Sequence, residues 1–265
     1  MTIIKNISIT ILALLCATNV QADDQIQTDR PDFVESSNTV GKGRFQIETS
    51  VAYESDKKSD ERSRTFSTPT LLRLGIADDW ELRFETDGRL NQRVKDLNTN
   101  QTEHANGYAD FALGFKWHQD DGDEKTMSPS AAWILHFDMP AGSKEFLSQK
   151  VRPSLRYVAE WELANDYSLG VMPGLIYEVN DEGDRYWAGI FGLVVGKSFT
   201  DRFRGFVEFG GQSITSESNG GSQLTFDIGM AYLVTDLVQL DLVYNRAMNQ
   251  YTPNDTLGLG LSIKF

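Results

Sequence analysis

The last ten residues, "TLGLGLSIKF" (256–265), alternate without a break. Leu257, Leu259, Leu261, Ile263 and Phe265 fall on one side, and Gly258, Gly260, Ser262 and Lys264 fall on the other. A period of two is that of a β-strand with one apolar and one polar face. The same period begins at Gly43. In "RFQIETSVAYE" (44–54), Phe45, Ile47, Thr49, Val51 and Tyr53 oppose Gln46, Glu48, Ser50, Ala52 and Glu54. It recurs in "WELRFETDGRL" (80–90), "ADFALGFKW" (109–117), "RPSLRYVAEWEL" (152–163), "RFRGFVEFG" (202–210), "QLTFDIGMAY" (223–232) and "VQLDLVYN" (238–245). Weaker stretches at 70–76, 131–139, 167–177 and 187–197 bring the number to about twelve, each near the ~10 residues a tilted strand needs to cross a bilayer.

The connections carry an independent signal. "ADD" before Trp80, "AND" before Tyr167, "TDR" before Phe203 and "VTD" before Leu237 are short and rich in turn-forming Asp and Asn. They alternate with longer polar links at 91–107, 140–150, 178–185, 212–222 and 245–255. "HQDDGDEKTMSPS" (118–130) is longer than the pattern requires. Short turns at one end and long loops at the other describe a transmembrane antiparallel β-barrel of about twelve strands, all-β in class. A secreted sandwich of similar strand number also fits the periodicity. The aromatic-rich apolar faces, suited to lipid, and a final strand ending in phenylalanine favour the barrel.

The first residues agree. "MTIIKNISITILALLCATNVQA" (1–22) has an early lysine, a short apolar run and small residues at its end, the pattern of a cleaved secretory signal. Cys16 lies inside it, so the mature chain from about Asp23 carries no cysteine. This divides the chain into a signal (1–22), an N-terminal segment that is periplasmic or inserted in the lumen (23–43), and the barrel (44–265). Mean hydropathy of −0.36 is compatible with strands that average polar and apolar faces. A net charge of −13 argues against nucleic acid.

The segment "TDRPDFVESSNTVGKG" (28–43) has no strand or helix period. Together with the step into the first strand it resembles the start of the outer-membrane family labelled as the MetA-pathway of phenol degradation. The residues that carry the resemblance are Thr28, Asp29, Arg30, Pro31, Asp32 and Phe33, then Val40, Lys42, Gly43 and Glu48. "FDMPAGS" (137–143) is similar to a second family step, with Ala141 where threonine is usual. The resemblance implies an outer-membrane location in a Gram-negative bacterium and a loosely assigned role in moving small compounds, aromatic or other hydrophobic ones included. It carries over no substrate. A terminal Phe265 resembles the signal read by the outer-membrane assembly machinery, and lipid is the other expected partner.

Alternation places Glu48, Arg73, Glu81, Arg83, Glu85, Asp87, Arg89, Asp110, Arg152, Arg156, Glu160, Arg204, Glu208, Asp227 and Asp241 on the lumen side. They read either as a solute path or as ion pairs filling a narrow barrel, since unpaired charge in a confined space is costly. The acidic excess favours cations or neutral solutes in an open lumen. Within the N-terminal segment, Asp29, Arg30, Pro31, Asp32 and Phe33 form a plug candidate, with Arg30 paired to wall acids and Phe33 seated in an apolar site. A disordered periplasmic tail is the plainer alternative. His104 falls in a long link, His118 near a turn and His136 on an inner face. This spacing suggests no metal site, no cofactor and no catalytic set, so no enzyme is expected. Two rival functions stay open, a closed structural or assembly-related barrel and an outer-membrane hydrolase.

Overall fold

The computed structural model describes residues 25–180 and 182–265. The expected signal, 1–22, lies outside the described residues. From Phe45 onward the chain is almost entirely strand: β1 (Phe45–Lys57), β2 (Glu61–Ser67), β3 (Thr70–Ala77), β4 (Trp80–Thr86), β5 (Arg89–Asp96), β6 (Thr102–Tyr108), β7 (Phe111–Asp120), β8 (Ser130–Met139), β9 (Arg152–Leu163), β10 (Tyr167–Val179), β11 (Arg185–Thr200), β12 (Phe203–Ile214), β13 (Gln223–Thr235), β14 (Val238–Ala247) and β15 (Asp255–Lys264). All neighbours pair antiparallel, and β15 closes on β1 with Thr49 opposite Leu261 and Val51 opposite Leu259. The result is a closed all-β barrel of 12 strands.

Fifteen strands fill twelve places because β2 with β3, β4 with β5 and β6 with β7 are each one strand interrupted at the same height. Pro69 has no N–H to give to the ladder. Around it, Ser50 N donates to Pro69 O (2.9 Å), Thr68 N to Asp87 O (3.0 Å) and Ala109 N to Gly88 O (2.8 Å), so backbone bonding continues across the breaks. Gly88 has φ +65°, and a Cβ there would lie 2.4 Å from Thr68 O. An extra residue at Asp87–Gly88 turns the side-chain alternation over.

Two expectations are thereby corrected. The stretch 91–107 is not a connection, because most of it forms the hairpin β5–β6, which puts His104 on a strand. Arg89 is not in the lumen. It lies opposite Tyr108, which is 64 % exposed, while the next residue, Leu90, lines the interior. Its polar composition hides this hairpin from a search for apolar alternation.

The outer wall carries the apolar rows. Leu257, Leu259, Leu261 and Phe265 are exposed, as are Trp80, Trp117 and Trp133 near the short-turn end. Trp80 stacks on Trp117 (5.8 Å), and Tyr177 packs against Trp187 (4.8 Å) near the loop end. Aromatic rings at two levels flanking an aliphatic band suit the two interfaces of a bilayer.

The interior is two-sided. Ile134, Val158, Met172, Ile176, Ala188, Ile190 and Val194 form a buried apolar cluster on β8–β11, and Phe206 and Val243 extend it. Charged side chains from β1, β3, β4 and β7 occupy the opposite wall. At the edge of the N-terminal segment, a Cβ on Gly75 would come within 1.7 Å of Gly41 O, and Gly43 N donates to Gly75 O at 2.7 Å. Backbone meets backbone there, so Gly75→Ala is expected to cost about 1–3 kcal/mol through forced displacement. A lowered urea midpoint for the refolded barrel in micelles would show it; an unchanged midpoint would contradict it.

Candidate functional site

Residues 25–43 run inside the barrel. They form no strand, so their backbone donors and acceptors need partners other than a ladder. The wall supplies these by charge. Glu48 accepts from Asp29 N (3.0 Å) and Arg30 N (2.9 Å). Glu208 accepts from Phe33 N and Val34 N, both at 2.7 Å. Glu160 accepts from Ser37 N (2.5 Å), and Glu81 accepts from Val40 N (3.1 Å). Cationic side chains serve the carbonyls: Arg73 donates to Gln27 O (2.9 Å) and Asn38 O (2.6 Å), and Lys116 donates to Ser36 O (2.6 Å). The wall charges thus hold an aperiodic segment in one course.

Ion pairs tighten the arrangement. Asp29 lies 2.8 Å from Lys116, 2.5 Å from Arg83 and 3.5 Å from Arg73. Glu81 bridges Arg73 (2.9 Å) and Arg83 (2.8 Å), and Glu48 meets Arg73 at 3.0 Å. Glu35 reaches Arg83 and Arg156, both at 2.5 Å. Asp32 receives both ends of the Arg204 fork (3.0 and 2.8 Å), and Arg30 meets Asp241 at 3.2 Å. Burial alone would push the Asp29 carboxyl up. The charges of Arg73, Lys116 and Arg83 outweigh that and hold it below the usual carboxylate range.

Phe33 and Val34 face the apolar cluster. A Cβ on Gly192 would sit 2.5 Å from Val34 Cγ2 and 3.2 Å from Phe33, so this glycine leaves the room they occupy. The Arg30–Pro31 peptide is cis.

The segment separates two chambers. One, of ≈ 290 Å³, lies at the short-turn end between Gln25–Thr28, Glu160, Arg202, Arg204 and Gln239. The other, of ≈ 700 Å³, lies at the loop end and is lined by Glu85, Asp87, Asp110, Asp138, Arg152, Arg156, Glu178, Phe33, Tyr186 and Ile190. Asp32 borders both. In the larger chamber Arg152 pairs with Asp138 (3.2 Å) and Glu178 (3.3 Å). Glu85 lies 3.6 Å from His136 Nδ1. Asp110 sits at the β6–β7 break and accepts from Ala141 N (2.9 Å), Gly142 N (2.7 Å) and Ser148 N (2.9 Å). It also accepts from the Ser148 hydroxyl. The "FDMPAGS" step thereby ties the 140–151 loop to the wall. Asp227 and Asp241 are buried on β13 and β14, each with a carboxylate oxygen that has no hydrogen-bond partner among the described residues.

The charged residues named from alternation therefore all face the interior, Arg89 excepted. Lys116, Gln46 and Gln239 also contact the segment and are not among the residues assigned to the lumen from the sequence. Lys116 lies on the polar side of a clear strand, and its parity alone could have drawn attention to it. The apolar half of the lumen was missed too. On β10 and β11 both faces are largely apolar, so alternation of character gives no inner-face signal there, and on β8 and β9 the apolar Ile134 and Val158 sit among polar inward residues.

Comparison with protein families gives a match over residues 28–265 to the family described as "Putative MetA-pathway of phenol degradation". The chain belongs to this family. The match begins at Thr28, so it takes in the segment that lies in the lumen as well as the barrel. A comparison with curated proteins gives no match. Among solved structures, the chain is similar to a COG4313 outer membrane channel from Pseudomonas putida F1, with 11% identity, a TM-score of 0.65, 94% of this chain and 100% of that chain covered. It is also similar to the NanC porin, with 10% identity, a TM-score of 0.53, 83% of this chain and 100% of that one covered. At such identities the likeness is one of fold, a closed antiparallel β-barrel.

Proposed function

We propose that this family member is an outer-membrane channel for passive passage of small molecules, with the loops outside and both termini in the periplasm, and with residues 25–43 as its constriction. The two chambers meeting at Asp32 carry this reading, because they leave solute-sized space on either side of one narrow barrier. Membership of a family named for phenol degradation, and the pairing of an apolar wall with a charged one, support small amphipathic solutes such as aromatic compounds. A secretory signal at 1–22 and recognition of Phe265 by the assembly machinery belong to the same reading.

Glu85 and Asp87 set the charge preference. The arginines nearest them are engaged elsewhere, Arg152 by Asp138 and Glu178, and Arg156 by Glu35. An acidic balance in the wider chamber favours cations and neutral solutes. Planar-bilayer recordings of the reconstituted protein are expected to show cation preference. Glu85→Gln with Asp87→Asn is expected to reduce the cation-to-anion permeability ratio about twofold or more. Anion preference in the parent protein would overturn the charge assignment, and no conductance under any condition would overturn the channel reading in favour of a closed structural barrel. Hydrolysis has less support. His136 Nε2 accepts from Arg83 Nε at 3.1 Å, and His118 bonds Ser37 O and Asp121, so among the described residues neither imidazole is hydrogen-bonded to a serine hydroxyl.

A further inference from the structure

The loop-end rim of β1, β2, β5 and β6 sorts its charges by face. Residues directly opposite one another on paired strands share a face. Tyr53 and Phe66 are such a pair, both turned outward and 45 % and 44 % exposed. One outward row further up, Ser55 lies opposite Arg64, Arg64 opposite Arg93, and Arg93 opposite His104. The next outward row is Lys57, Arg62, Lys95 and Thr102. The acids of these strands fall on the inward rows between: Glu54 opposite Thr65, Asp56 opposite Ser63, Glu61 opposite Asp96, and Glu103 opposite Val94. In a chain of net charge −13, this is a concentrated cationic surface on the outer wall.

These cations are not engaged by the protein. Among the described residues, none of Lys57, Arg62, Arg64, Arg93 and Lys95 forms an ion pair, whereas Arg73, Arg83, Arg152, Arg156 and Arg204 in the lumen all do. The nearest outward acid, Asp255 opposite Ser55, is held by Arg246 at 2.5 Å. Like charges placed directly opposite are destabilising unless an anion lies between them. Cross-strand Cβ atoms lie about 5 Å apart and same-face rows about 7 Å apart. Arg64, Arg93, Arg62 and Lys95 therefore outline a patch that two phosphate groups span, with guanidinium forks suited to phosphate oxygens.

Position names the source of the phosphate. The patch sits directly above the outward Tyr53–Phe66 pair, on the lipid-facing side of the wall. On strands tilted about 40°, Arg93 stands roughly 30 Å from the Trp80 level, just past an apolar band of about 25 Å. We propose that Arg62, Arg64, Arg93 and Lys95 bind the phosphates of an anionic glycolipid headgroup in the outer leaflet. This rests on the loop-outward orientation proposed above, though not on conduction.

The test counts lipid bound to the purified barrel in detergent micelles by native mass spectrometry. The probes are a bisphosphorylated lipid A, the same glycolipid without phosphates, and phosphatidylglycerol. The parent protein is expected to bind the bisphosphorylated form about tenfold or more tightly than the other two, as charge-assisted pairing requires. R62Q/R64Q/R93Q/K95Q loses that preference, while R64K/R93K keeps it. If the fourfold variant does not regain the heat-modifiable migration of a folded barrel, R64Q/R93Q is measured instead. Equal binding of the three lipids, an undiminished preference in the glutamine variants, or displacement by millimolar inorganic phosphate overturns the proposal. A failure here leaves the bilayer recordings untouched, so the channel reading is judged separately.

Discussion

Deleting residues 25–43 is expected to raise the single-channel conductance of the reconstituted barrel by about an order of magnitude, because the resistance of a pore concentrates at its narrowest section. On the proposed reading the segment is that section. It lies between a chamber of ≈ 290 Å³ and one of ≈ 700 Å³, and wall side chains reach it from both β1–β7 and β9–β14. The barrel itself does not depend on the segment for closure, since β15 pairs with β1 from Gln46–Lys264 to Ser55–Asp255. Removing it leaves Arg73, Arg83 and Lys116 beside Glu48 and Glu81, charges that water entering the lumen can solvate. Heat-modifiable migration of the deletion variant should persist while conductance rises. Unchanged conductance in a folded deletion variant would mean that the solute path bypasses the segment. Loss of the folded form would make the segment part of the barrel's core, not its barrier.

The two halves of this picture were unequally legible. The wall was readable because lipid outside and charge inside impose a strict alternation, as in Leu257–Phe265. Where that contrast fades, so does the signal. "ERSRTFS" and "NQRVKD" are polar on both faces because they rise above the apolar band, so β2 carries no strand signal and most of β5–β6 reads as a link. The Asp87–Gly88 bulge inverts parity without any compositional mark, and Arg89 was misplaced for that reason. In β10 and β11 the inner face is itself largely apolar where Phe33 and Val34 pack, a tertiary contact invisible to local pattern. The segment's own chemistry was more readable. Asp29, Arg30 and Asp32 are charged residues in a stretch with no helix or strand period, and charges in such a place need partners. Which partners they find depends on registers that only the closed barrel fixes.

Asp29 is the residue whose loss should loosen the segment most. It is 6 % exposed and within reach of three cations, Lys116, Arg83 and Arg73. Asp29→Asn keeps the size and removes the charge, leaving those cations short of one counter-charge. Breaking a buried pair by neutralising one partner typically costs about 3–5 kcal/mol, enough to favour a released segment over a seated one. Protease added to the turn end of barrels in vesicles should cleave the variant within 25–43 at pH 7 and spare the parent. The pH dependence follows from the direction of the shift. A carboxyl held below its ordinary pKa in the folded state contributes its full stabilisation above the unfolded value of about 4, and loses it as pH falls through the folded value. The difference between parent and variant is therefore constant from about pH 5 upward and shrinks only in stronger acid. A difference that already narrows near pH 6, or a variant as resistant as the parent at pH 7, would show that the segment is held mainly by Glu48, Glu208 and the Phe33–Val34 contact. In that case Asp29 would be one anchor among several.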